Sequence, residues 1–232
     1  MVIFSIIISN TTSPPREDQQ KQKKHKQAVN QRIKKLKECI NKHRPLSWSA
    51  ISSFEYSKDD FYSKYVLGEK TDPNSKMLFG NEVGGRLATE PNFLPEIPRY
   101  EIYEQKLAGK IDDIHLIGYL DNFCPETKNF HEFKTSSSKT RWTQEKAQEH
   151  GQIMFYKFLI YQNYGIDPST IKCNLFYIPV EEAGDFSMKL SNEPIQCFEV
   201  IHSVTDIIKF GNYIKKIWQK MQDFVEKKEL AL

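Results

Sequence analysis

Three residues raise a chemical question: Asp121 in the run IGYLDNF, and Glu132 and Lys134, which flank Phe133 in NFHEFKTS. In an extended strand, side chains two apart share a face, so Glu132 and Lys134 point together and Phe133 points away. Buried alone, such a pair costs several kcal/mol to desolvate. A divalent cation and a phosphate would compensate, and so would exposure at a sheet edge, where Lys is common. The linker CPETKN is short enough to return the second run beside the first and bring Asp121 towards the Glu132 face. Two carboxylates meeting there make a hard oxygen site suited to Mg²⁺ or Mn²⁺. With Lys134 beside it, such a site has the parts that metal-assisted phosphodiester hydrolysis requires.

The elements that would position these groups follow from hydrophobic pattern. Three extended runs, YEIYEQKLAG, DDIHLIGYLDNF and NFHEFKTS, are joined by turn-like GKID and CPETKN and predict an antiparallel meander. Before it, KMLFGNEVGGRLATE reads as a helix from about Met77, weakened by Gly84 and Gly85. After it, one long helix is expected from Thr143 to Tyr164, stopped by Gly165 and Pro168. On that helix Gln152 and Tyr156 are four apart and share a face. IKCNLFYIPV predicts a further strand, DFSMKL and IQCFEVI a last strand pair, and VTDIIKFGNYIKKIWQKMQDFVEKK an amphipathic helix. The fold class is therefore mixed α/β: helix, three-strand meander, helix, strand, then accessory strands and a helix.

In this order, GYLD (118–121), EFK (132–134) and QIMFY (152–156) resemble the PD-(D/E)XK nuclease superfamily in its RecB-like exonuclease branch. That branch is marked by a GxxD strand end, a (D/E)xK strand and a QxxxY helix. The upstream LSWSAISSFEYSKDDFYSKYVLG is similar to its opening segment, and the resemblance spans residues 45–225. It implies a restriction-endonuclease-like core and a deoxyribonuclease dependent on Mg²⁺ or Mn²⁺. Asp121, Glu132 and the Phe133 backbone carbonyl would be metal ligands, Lys134 the catalytic lysine, and Gln152 and Tyr156 the branch's helix pair. The implied partner is DNA, as single strands or ends, in repair, recombination or defence, alongside a helicase or recombination protein. Two departures stand out. Gly84 occupies the position where many relatives carry a metal-binding His, with Glu82 the nearest acid. Ser57 stands where other relatives place the first cysteine of an iron–sulfur cluster, and no late cysteine cluster follows, so no cluster is expected. The alternative is a catalytically inactive nucleic-acid-binding or interaction module of the same fold.

Charge divides the chain. Residues 1–44 carry eleven Lys/Arg and three Asp/Glu, a net of +8 within a whole-chain charge of +3, which leaves −5 for residues 45–232. A basic arm on an acidic domain predicts nucleic-acid binding or a solvated tail. SNTTSPPREDQQKQKK (9–24) reads as a disordered linker, and residues 26–43 as a basic helix with Val29, Ile33, Leu36 and Ile40 along one side. The apolar start MVIFSIII is too short to span a bilayer, so no membrane partner is expected. Cys39, Cys124, Cys173 and Cys197 show no metal-binding spacing and suit free thiols in a cytoplasmic setting. His131 and His150 flank the motifs without matching them. Glu101 and Glu104 read as surface charges, Trp48 and Trp142 as core aromatics, and Ser136, Ser137 and Ser138 as loop.

Overall fold

The computed structural model describes residues 16–39, 45–137, 142–184 and 187–231. Residues 1–15, Ile40 and Ser138 lie outside the described residues.

Alternating burial along its first two strands builds the expected meander. β1 (Ile102–Ile111) pairs antiparallel with β2 (Ile114–Phe123) through a tight turn at Asp112, whose φ is 52°. β3 (Phe130–Ser136) returns beside β2 but joins it at only two positions, Phe123↔Phe130 and Asn122↔His131. β4 (Cys173–Ala183) then runs parallel to β3 from Phe130↔Cys173 to Ser136↔Pro179. A parallel neighbour demands a crossover. Two helices supply it: α5 (Gln144–Gln148), capped by Thr143, and α6 (Gly151–Tyr164), closed by Gly165 at φ 65°.

The single helix expected from Thr143 to Tyr164 is thus broken at Glu149 and His150. The Trp48 indole lies so close to Gly151 that a Cβ there would come within 2.0 Å of it, a distant contact that local pattern does not encode.

The last two strands do not pair with each other. β6 (Gln196–Val200) pairs with the first half of β4, from Cys173↔Val200 to Tyr177↔Gln196, and β5 (Ser187–Leu190) pairs with its second half. At 11 residues, β4 is long enough to hold both along one edge.

Helices cover both faces. α2 (Trp48–Tyr56), capped by Ser47, α6 and α7 (Val204–Leu230) enclose the larger core around Ile51, Leu116, Phe130, Leu159 and Ile214. A short α3 (Lys58–Phe61) leads into a π-helical turn at Tyr62–Leu67. On the other face α4 (Ser75–Thr89), starting at cap Asn74 rather than Met77, packs Val83 and Leu87 against Ile97, Phe176 and Ile178.

The linker expected over residues 9–24 gives way at Arg16 to α1 (Arg16–Cys39). Gln, Lys and Glu are good helix formers, and Val29 is buried where α1 lies against α7. No helix among the described residues is long and apolar enough to cross a membrane.

Candidate active site

β2 and β3 separate after Asn122, and the chemistry gathers where they part. The next bond across the gap is made by a side chain: the Phe133 backbone N–H donates to Asp121 Oδ2 at 2.8 Å. Asp121, Glu132, Phe133, Lys134 and Gln152 line one cleft of about 520 Å³, closed on its far side by α4.

Glu132 is almost wholly buried, at 1% exposure, with Lys134 Nζ 2.6 Å from its Oε1. Its Oε2 is buried with no hydrogen-bond partner. Lys134 Nζ also donates to Gln152 Oε1 at 2.8 Å, and Gln152 Nε2 donates to the Tyr156 hydroxyl at 2.8 Å. One continuous chain of polar contacts thus runs Glu132–Lys134–Gln152–Tyr156. Tyr156 joins it from one turn along α6 and is itself buried. Gly118 makes this approach possible, because a Cβ there would meet Tyr156 Cε1 at 2.8 Å and Leu159 Cδ1 at 2.9 Å.

The electrostatics are those of crowded carboxylates. Burial holds the Asp121 pKa well above its ordinary value; the Glu132 charge adds to the shift, while Lys134 and the Phe133 N–H oppose it. Burial also raises Glu132, against the pull of Lys134. The Tyr156 phenol is pushed up by burial and then by the Glu132 charge, so it stays neutral and can donate.

Glu104 is exposed, as the sequence leads one to expect of a surface charge, and it also lines the same cleft. It falls opposite Asp121 in the β1–β2 register, between the pairs Tyr103↔Asn122 and Gln105↔Leu120, at a φ of 52°. Its charge raises the pKa of both Asp121 and Glu132. A left-handed glutamate inside a strand leaves no local sequence signal; only its position across from the GxxD aspartate could have pointed to it.

α4 turns Gly80, Gly84, Gly85 and Ala88 to the cleft, along with Lys76 and Asn81. Glu82 is exposed and is not among the lining residues. A Cβ on Gly84 would meet nothing within 4 Å, so the space a larger side chain would need is open. His131 lies outside the cleft, stacked on Tyr100 at 4.2 Å, and His150 packs against Trp142 at 5.0 Å.

A hard cation fits the oxygen donors present. The buried, orphaned Glu132 Oε2 and the half-buried Asp121 carboxyl with its raised pKa are two acceptors whose charge one cation would balance. Among the described residues no three His, Cys, Asp or Glu side chains converge as a ready metal cluster. The site instead offers two carboxylates and a nearby third in Glu104, with Phe133 among the lining residues.

No protein-family profile and no curated protein matches the sequence. Several solved structures are similar in chain path. A candidate exonuclease from Eubacterium rectale is 11% identical, with 79% of this chain and 81% of that one covered, at a TM-score of 0.49. The alkaline exonuclease LHK-Exo from Laribacter hongkongensis is 12% identical over 80% of this chain and 93% of that one, at 0.47. A phage-related exonuclease from Haemophilus somnus 129PT is 12% identical over 77% and 80%, at 0.46.

Proposed function

We propose that the protein is a divalent-metal-dependent nuclease of the PD-(D/E)XK type, hydrolysing phosphodiester bonds in DNA. The observation that carries this reading is the buried, partnerless Glu132 Oε2 beside the elevated Asp121 carboxyl in an open cleft. An unpaired buried carboxylate oxygen beside a second carboxylate is costly in a resting fold, and a cation would offset it.

Asp121, Glu132 and the Phe133 carbonyl would hold Mg²⁺ or Mn²⁺, with Glu104 within the field of both carboxylates. When bound, the metal supplies Lewis acidity at the scissile phosphate and a nucleophile at neutral pH. Lys134 keeps a positive charge at the cleft wall, where it stabilises negative charge developing on the phosphoryl oxygens. Gln152 accepts from Lys134 and so fixes where that charge sits, and Tyr156 fixes Gln152. The small residues of α4 leave room for a sugar–phosphate chain. The Gln152–Tyr156 pair favours the RecB-like exonuclease branch, acting on ends or single strands in repair, recombination or defence beside a helicase or recombination partner. The free thiols of Cys124 and Cys173 suit a reducing cytoplasm.

A binding module without catalysis is the second reading, favoured by Gly84, which brings no imidazole to the cleft. End-labelled and circular DNA incubated with Mg²⁺ or Mn²⁺ separates the two. The parent should cleave the labelled ends, and Lys134→Ala should reduce the rate by about two to three orders of magnitude while metal affinity is kept. A parent that binds neither metal and cuts nothing is a binding module.

A further inference from the structure

The basic N-terminal segment is built into the protein. Arg32 Nη1 donates to the Tyr62 hydroxyl at 3.0 Å and lies 3.2 Å from Glu229 Oε1. Tyr62 donates to the same Glu229 oxygen. Glu229, near the end of α7, is only 4% exposed. A carboxylate so buried requires its cationic partner, so α7 ends in a receptor for α1. Val29, at 5% exposure, and the half-buried Ile33 complete the seam.

This docking leaves most of the other described side chains of α1 exposed. Residues 19–37 hold eight Lys/Arg and no Asp/Glu. Lys21, Lys23, Lys24, Lys26 and Lys34 are exposed. Over its 24 residues the helix is about 36 Å long. None of its described residues lines the candidate cleft.

We infer that α1 is a second, sequence-independent binding surface for the phosphate backbone of nucleic acid, held in fixed orientation by the Arg32–Glu229–Tyr62 clasp. A membrane-surface helix needs a free apolar face to enter the lipid. Val29 and Ile33 of α1 are taken up by the protein itself, and its exposed described side chains are lysine, glutamine and asparagine with one alanine. A rigid row of ammonium groups matches a polyanion of regular charge spacing. The surface shares its partner with the nuclease reading but none of its residues.

The test is anisotropy of the full chain on a labelled duplex long enough to span α1, in EDTA, over a range of salt. The parent should show log K falling steeply with log salt. Lys23→Gln, Lys24→Gln and Lys26→Gln together keep helix propensity and should reduce that slope by about 2–3, at about 0.9 for each phosphate no longer neutralised. The same charge removed elsewhere, by Lys106→Gln, Lys110→Gln and Lys209→Gln, should change it by less than about 1. An unchanged slope in the first variant overturns the inference, as does an equal fall in the control. Preferential binding to phosphatidylserine vesicles over duplex also overturns it. Cleavage of an oligonucleotide too short to reach α1 should proceed at the parental rate in the first variant. A protein that shows the expected slope change but cuts nothing with either metal refutes the catalytic reading alone.

Discussion

Asp121 accepts the Phe133 backbone N–H at 2.8 Å, filling with a side chain the place of a strand-to-strand bond. One carboxylate oxygen therefore maintains the fold, while the proposed function asks the same group to hold a cation. Asp121→Asn should separate the two roles, because an amide oxygen still accepts that bond. The variant should fold, lose Mn²⁺ binding by calorimetry, and lose cleavage. The Asp121 pKa is raised above 3.8 in the fold, so its contribution to stability is present below that pH and is lost as pH rises through the folded value. Without metal, the melting temperature of the variant should exceed the parent's at about pH 8 and approach it at about pH 4. A variant no more stable than the parent at the higher pH would show that Asp121 carries no such strain.

Gln152 bridges Lys134 and Tyr156 and should act on turnover more than on folding. Gln152→Ala should slow single-turnover cleavage by about tenfold to a hundredfold, with a stability loss of only about 1 kcal/mol. Tyr156→Phe removes only the acceptor for Gln152 Nε2 and should cost less than Gln152→Ala. Urea unfolding beside single-turnover rates would decide: activity loss that merely tracks stability loss would make Gln152 structural.

Open space beside Gly84 leaves room for a histidine at this position. Gly84→His should tighten Mn²⁺ binding by about tenfold, the scale of one added contact worth about 1.4 kcal/mol. Gly84→Ala is the control and should stabilise α4 by up to about 1 kcal/mol without changing metal affinity. Equal Mn²⁺ affinity in the histidine and alanine variants would mean that the cleft cannot use a ligand from α4.

His131, buried among Tyr100, Phe133 and Phe176, has its pKa depressed by burial to about 4, from 6.5. An imidazole held neutral in the fold gains its proton more easily when unfolded. His131 should therefore subtract stability as pH falls from about 6.5 to about 4, against the opposite trend from Asp121. His131→Phe should flatten that part of the profile in chemical denaturation; a slope identical to the parent's would place acid sensitivity elsewhere.

The meander, the crossover and the meeting of Asp121, Glu132, Lys134 and Gln152 at one cleft were legible because alternation, a terminal glycine and short spacings are local signals. The failures share a cause: partners far along the chain. The break before Gly151 answers to Trp48, and α1 to Glu229. Lys157, in the apolar interior of α6, is fully buried because carbonyls of Ile171 and Val200 accept from it at 2.6 and 2.9 Å. Glu104 was hidden by a backbone angle that strands rarely adopt. Gly118 stood in the motif, but its reason, the Tyr156 ring pressed against it, belongs to the packing.

The parallel joining of β3 to β4 bears on the order in which the protein assembles. β1 and β2 meet across a two-residue turn, a contact that closes fast, whereas Phe130 and Cys173 meet only after the whole crossover has been threaded. Asp121 and Glu132 lie on the early side of that divide, and Gln152 rides on the late crossover. Pulse-labelled hydrogen exchange during refolding should protect β1 and β2 before α6. An early folding species would then already hold the carboxylates while Lys134 still lacked its Gln152 partner, so competence to bind a cation would precede competence to cut.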